Sequence, residues 1–200
     1  KTDILISMLE SDYDIDATPL IKELEDITKQ IRFISKTNAN LSNFFKRGTP
    51  QEIFSPMESI ETVVALFGKL FKTNGISIPI DGDRHILIKG NSNEFMQVVL
   101  NIIDNAKDQI VSKNIKNGTI NCIIRQNNDY AYVIIKDNGG GVREDIMDKV
   151  FEYRLSTKGD KGSGIGLFLS KKIITEGFGG EIHCDNADDG AMFTIKIKKL

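Results

Sequence analysis

The stretch that most restricts what this chain can fold into is 92–113. Phe95, Val98, Val99, Ile102, Ile103, Ala106 and Ile110 recur at helical spacing and cover one side of a long helix. Such a helix needs an apolar layer to lie against. The sequence that follows supplies one. "TINCIIRQ" and "YAYVIIKD" flank "NND" and read as a β-hairpin; a helix is expected at about 165–176; "EIHCD" and "MFTIKIK" then read as two more strands. The last alternates Phe193, Ile195 and Ile197 with Thr194, Lys196 and Lys198, so one face is expected to be buried and one wet. Helices together with antiparallel hairpins predict an α+β domain, a two-layer α/β sandwich with the helices on one face of a sheet.

Upstream the pattern changes. Thr18-Pro19 is a helix start, a capping side chain followed by proline. Leu20, Leu24, Ile27, Ile31, Ile34, Leu41 and Phe45 then alternate four and three apart, with Asn38 in the missing slot. This heptad seam over 18–46 predicts a helix packed on partners, either within the chain or, as a 4-3 alternation this long favours, in an intermolecular helical hairpin or four-helix bundle. Ile4, Leu5, Ile6, Met8 and Leu9 suggest the end of a preceding helix, and "KRGTPQ" (46–51) reads as a linker. Two domains are expected, 1–48 and 49–200. Residues 57–73 read as helical, and "ISIPI" (76–80) and "HILIK" (85–89) as short strands.

Composition excludes several classes. Across 200 residues the formal net charge is −2, which disfavours a general nucleic-acid binder. No apolar run reaches the roughly 18 residues of a membrane span, so no direct membrane contact is expected. The first residue is Lys1, and the sequence is expected to be a piece of a longer protein. Cys122 and Cys184 lie far apart in strand-like runs and form no metal pattern, so a reducing, cytoplasmic setting is expected.

Three local features carry chemistry. Gly162, Gly164 and Gly166 alternate just before a helical pattern, in "KGDKGSGIGLFLSKKI". The run matches neither a P-loop, which needs Lys-Ser/Thr where Ile165-Gly166 stands, nor the G-x-G-x-x-G fingerprint after a strand. It can be an anion cradle at a helix start or a plain hinge. Gln97, Asn101, Asn105 and Asp108 form a polar stripe on the long helix, either a solvated face or a source of hard amide oxygens for Mg²⁺. "DNGGGV" makes a tight turn, or presents the Asp137 carboxylate to an adenine amino group while Gly139 and Gly141 let the backbone close over the base. From 154 to 172 the cations Arg154, Lys158, Lys161, Lys171 and Lys172 stand against Asp160 alone, a bias that a solvated loop can show by chance and a phosphate lid would need.

Taken in order, these segments resemble the catalytic part of a bacterial sensor histidine kinase, in the Bergerat-fold ATPase superfamily that includes gyrase, a heat-shock chaperone and MutL. "NEFMQVVLNIIDNA" resembles the N box, "DNGGGV" the first glycine box, "VFEYRLSTK" the F box and "GSGIGLFLSKKI" the second glycine box. The helix with "LSNFFK" resembles the second helix of a dimerisation and phosphotransfer domain. The resemblance implies binding of ATP and Mg²⁺. Asn105 would hold the metal beside Asn101, and Asp137, Gly139 and Gly141 would hold adenine. Lys158, Gly162, Gly164, Gly166 and Leu167 would line the triphosphate, and 142–163 would be the lid. It also implies a homodimer through 18–46 and a response-regulator receiver domain as partner.

Some positions depart from that pattern. ATP-hydrolysing relatives carry a glutamate where Asn101 stands, and an amide cannot act as a general base; phosphoryl transfer is therefore favoured over hydrolysis. Asp108 replaces a common cation, and Arg154 a common aromatic. His85 and His183 fall in predicted strands and are expected to be structural or surface residues, so no catalytic residue is assigned in this sequence. The phosphoacceptor histidine is expected upstream of Lys1, leaving this chain unable to phosphorylate itself. Two alternatives are a non-catalytic dimerising or docking module and an anti-sigma-type serine kinase.

Overall fold

The computed structural model describes residues 51–153 and 165–200. Expectations that fall on 1–50 and 154–164 lie outside the described residues. These are the heptad helix with Asn38, the domain boundary near 48, Arg154, Lys158, Gly162 and Gly164.

A short strand β1 (Glu52–Phe54) opens the described chain, and helix α1 (Pro56–Thr73) follows, with proline at its first turn where a missing N–H costs nothing. Next come β2 (Ile76–Ser77), β3 (Ile80–Gly82) and β4 (Ile88–Gly90). Helix α2 (Ser92–Ser112) starts at Asn91, whose side-chain oxygen accepts from Asn93 N at 3.0 Å and Glu94 N at 3.2 Å. A cap of this kind stabilises a helix by about 1 kcal/mol. Then follow β5 (Gly118–Gln126), β6 (Tyr130–Asp137), a single turn α3 (Glu144–Met147), α4 (Gly166–Lys172) running into a π-helical turn (Ile173–Gly177), β7 (Glu181–Ala187) and β8 (Gly190–Lys198).

The main sheet has the order β2-β5-β6-β8-β7, with β3 also on β5; β1 and β4 pair separately. β2 and β3 run parallel to β5 and share one register, Ile76 opposite Gly118 and Ile80 opposite Cys122. A parallel pair needs a crossover, and α2 lies within it. The expected strand at 76–80 is thus real but broken: Pro79 has no N–H to donate, although its carbonyl accepts from Cys122 N at 2.9 Å. The strand expected at 85–89 is corrected to Ile88–Gly90. His85 is not in a strand: it lies in an exposed turn where its N–H donates to Asp83 Oδ1 at 2.8 Å. His183 does lie in β7, on its exposed face.

The core sits between the helices and one face of the sheet. All seven apolar residues expected to be buried on α2 are buried, and so are Phe193, Ile195 and Ile197 on β8. Across the sheet, Ile80, Cys122, Ile135, Phe193 and Cys184 form one cross-strand row on this face. At one end, Phe54, Phe95 and Phe178 meet with ring centroids 5.6–6.3 Å apart, joining β1, α2 and the turn after α4. Among the described residues no helix is long and apolar enough to cross a membrane.

Candidate functional site

Asp137 ends β6 on the core-facing side and is only 6% exposed. A carboxylate in such a place is costly unless the backbone satisfies it. Its Oδ1 accepts from Gly139 N at 2.6 Å and from Ala191 N at 3.4 Å. Burial nevertheless pushes its pKa above the usual carboxylate range, against the pull of those two N–H groups and the charge of Lys113.

The loop after Asp137 is fixed from three sides. Asn138 reaches back to β5: its Oδ1 accepts from Thr119 N at 2.9 Å, and its Nδ2 donates to Asn117 O at 3.0 Å. Lys113 Nζ donates to Gly140 O at 3.2 Å. Asn186 on β7 acts like a strand partner for Val142, accepting its N–H and donating to its carbonyl, both at 2.7 Å. Gly140 and Gly141 carry φ of +81° and +69°, a left-handed pair that lets the chain turn away from the sheet. Sequence reasoning singled out Gly139 and Gly141. Gly139 is needed for space, since a Cβ there would lie 2.8 Å from Asp137 Oδ1, while Gly140 shares the conformational demand and was missed. Gly190 was missed too: a Cβ there would sit 1.7 Å from the Asp137 carbonyl oxygen.

The polar stripe of α2 is half-buried along its length, so it is not a freely solvated face. Asn101 Nδ2 donates to Gly166 O and to Ser170 Oγ, each at 3.2 Å, and joins α2 to the start of α4. Asn105 stands one helical turn further along the same stripe. Lys107 is held by Asp104 and by Asp108, the latter at 3.1 Å. Burial lowers its pKa, but the bonds and charges of Asp104 and then Asp108 outweigh burial, so the net shift is upward. This lysine is therefore engaged on its own helix and is not the cation that Asp108 displaces. Leu167 is half-buried against the core. Gly166 has room to spare: a Cβ there would meet Asn101 at ordinary contact, 3.6 Å or more.

The F-box aromatic Phe151 packs edge-on against Phe193 of β8 at 6.3 Å, and Tyr153 against Phe168 of α4 at 5.3 Å. These contacts anchor the chain where it leaves for 154–164. An open cleft beside this loop is lined by Asn138, Gly140, Gly141, Asn186, Asp188 and Gly190, among others, and does not include Asn101, Asn105 or Asp137. Among the described residues, the candidate site residues come from α2, the β6 loop and α4. The donors they offer are amide and carboxylate oxygens, a hard set suited to Mg²⁺ rather than to a soft metal.

Residues 90–200 match the family model described as "Histidine kinase-, DNA gyrase B-, and HSP90-like ATPase". Sporulation kinase A of Bacillus subtilis is 31% identical over 173 residues, covering 83% of this chain and 28% of that protein. The two-component sensor PprA of Pseudomonas aeruginosa is 22% identical over 192 residues, covering 92% of this chain and 20% of that protein. The chain therefore spans between a fifth and three tenths of the length of these curated relatives. Among solved structures, the nucleotide-free catalytic domain of histidine kinase ThkA is similar with a TM-score of 0.68 at 24% identity, covering 76% of this chain and 99% of that one. ThkA in complex with its response regulator TrrA is similar with a TM-score of 0.64 at 21% identity, covering 100% of this chain and 56% of that one. These structural likenesses establish the fold.

Proposed function

The chain belongs to the histidine kinase-, gyrase B- and HSP90-like ATPase family, and from that premise we propose that it is the ATP-binding catalytic portion of a sensor histidine kinase. The observation that carries the reading is Asp137. It is a buried carboxylate inside a glycine loop, with burial opposing its charge, in a place where the fold alone would favour an apolar residue. In this reading the carboxylate accepts a hydrogen bond from the adenine amino group. Gly139, Gly140 and Gly141 give the base close access to the backbone. Asn105, with Asn101 beside it, holds Mg²⁺, which supplies charge neutralisation for phosphoryl transfer when bound.

Gly162, Gly164, Gly166 and Leu167 border the triphosphate, and Lys158 contacts it from the lid. Asn101 cannot take a proton from water, which favours transfer over hydrolysis. The acceptor is neither His85 nor His183, and the phosphoryl group passes on to a response-regulator aspartate in the cytoplasm. Domains 1–48 and 49–200 divide dimerisation from catalysis, with the homodimer formed through 18–46.

Calorimetric titration with a non-hydrolysable ATP analogue, with and without Mg²⁺, tests this. Asp137→Ala is expected to weaken binding roughly ten- to a hundredfold, the value of one charge-assisted bond. Asn105→Ala is expected to abolish the Mg²⁺ dependence. No binding by the folded wild-type chain at millimolar nucleotide would overturn the reading.

A further inference from the structure

Ser170 lies on α4, within the second glycine box, and is 0% exposed. A fully buried hydroxyl needs partners, and this one has two. It donates to Gly166 O at 2.9 Å and accepts from Asn101 Nδ2 at 3.2 Å. Asn101 Nδ2 also donates to Gly166 O at 3.2 Å, which closes a triangle between α2 and α4. The triangle decides which way the Asn101 amide faces. Gly166 O is an acceptor only, and the single Ser170 proton is committed to it, so both neighbours present lone pairs to Asn101. The amide must turn its NH₂ toward them, and Oδ1 is left as its open acceptor. No donor among the described residues bonds Asn101 Oδ1.

We infer that Ser170 is a positioning residue of the nucleotide site: it fixes the Asn101 amide so that an oxygen, not a nitrogen, is offered on the stripe that carries Asn105. The inference rests on the proposed ATP and Mg²⁺ reading and goes beyond it, because Ser170 itself touches neither nucleotide nor metal. A flipped amide would offer an N–H donor, and a donor repels a cation. Loss of the hydroxyl frees one Asn101 proton and leaves Gly166 O to hold the amide without Ser170, so the flipped orientation becomes more populated.

The test compares nucleotide binding of the whole chain, with and without Mg²⁺, for wild type, Ser170→Ala, Asn101→Ala and the double variant. Ser170→Ala is expected to weaken Mg²⁺-dependent affinity by about five- to tenfold and to leave Mg²⁺-free affinity unchanged. Added to Asn101→Ala it is expected to change nothing further, since it acts through that amide. Nitrogen-15 NMR supplies a readout independent of nucleotide: the Asn101 side-chain amide protons should exchange faster with solvent in Ser170→Ala. Equal losses with and without Mg²⁺, additive losses in the double variant, or unchanged amide exchange would each overturn the inference while wild type still binds. If wild type shows no Mg²⁺-dependent binding, the nucleotide reading falls, and the inference falls with it.

Discussion

At the scale of single residues, Asp137 and Ser170 show what a sequence discloses and what it hides. Asp137 was legible because "DNGGGV" can present a carboxylate to an adenine amino group, although the same residues also make a tight turn, and its Oδ1 does accept from Gly139 N. Ser170 was not, because a serine among Leu169, Lys171 and Lys172 looks like surface, and only the packing of α4 on α2 buries it. One signal was available: Ser170 lies four residues after Gly166 and can bond back to its carbonyl, as it does at 2.9 Å. Asp137 also carries a stability prediction. Its folded pKa is raised by burial, so the folded state holds the proton more tightly than the unfolded one. The sign follows. The group favours folding at low pH, loses that contribution as pH rises through the folded pKa, and burdens the fold above it. Asp137→Asn keeps an oxygen for Gly139 N and removes the charge. Its melting temperature relative to wild type should therefore rise between pH 4 and pH 8, while its nucleotide affinity falls. A relative melting temperature that drops with pH would show that the charge stabilises the fold.

At the scale of elements, long periodic segments were readable and short ones were not. The seven apolar residues of α2 sit where their spacing puts them, because a helix of this length samples its own period several times. β1 has three residues and no period to detect, and it exists only by pairing with β4. The strand expected at 76–80 exists but is broken, for a different reason: its apolar pattern is intact, but Pro79 interrupts the ladder. The close of β4 was invisible for a third reason, since it depends on a ring from far along the chain. A Cβ on Gly90 would stand 2.1 Å from a Phe178 ring carbon, so that glycine is a seat for the aromatic trio. Gly90→Ala should destabilise the domain by about 1–3 kcal/mol, the usual range for overpacking. Phe178→Leu shortens the intruding ring, so in the Gly90→Ala background it should cost less than it does alone. Denaturant titration of the two single variants and the double variant measures the coupling. Strict additivity would mean that Phe178 does not fill the space above Gly90.

At the scale of the whole molecule, the proposed nucleotide site and the core are one construction. α2 carries the polar stripe on one side and the centre of the core on the other, while β6 and β8 bring Asp137 and Ala191 together beside rows of buried Ile and Val. Opening the core therefore dismantles the site, and ligand binding must resist that opening. The two cysteines can report it. Burial pushes the Cys122 thiol up to about 12, and burial with the nearby Asp185 and Asp137 charges does the same for Cys184. Neither thiol is a ready nucleophile in the native state, since the reactive form is the thiolate. Cys122 is 0% exposed in the middle of the sheet, whereas Cys184 is partly exposed on the edge strand β7. At pH 8, a thiol reagent should label Cys184 through local fraying of β7 and Cys122 only when the domain opens. A ligand that binds the folded form alone slows such opening by the factor 1 + [L]/Kd, so nucleotide at a hundred times its Kd should slow Cys122 labelling about a hundredfold. Cys184 should be slowed less, because the first half of the edge strand β7 can fray while Asn186, near its end, still holds Val142 and nucleotide stays bound. If saturating nucleotide left the Cys122 rate unchanged, the site and the core would be independent, and the link drawn through α2 would fail. If both cysteines slowed equally, the link would hold, but β7 would open only together with the rest of the domain.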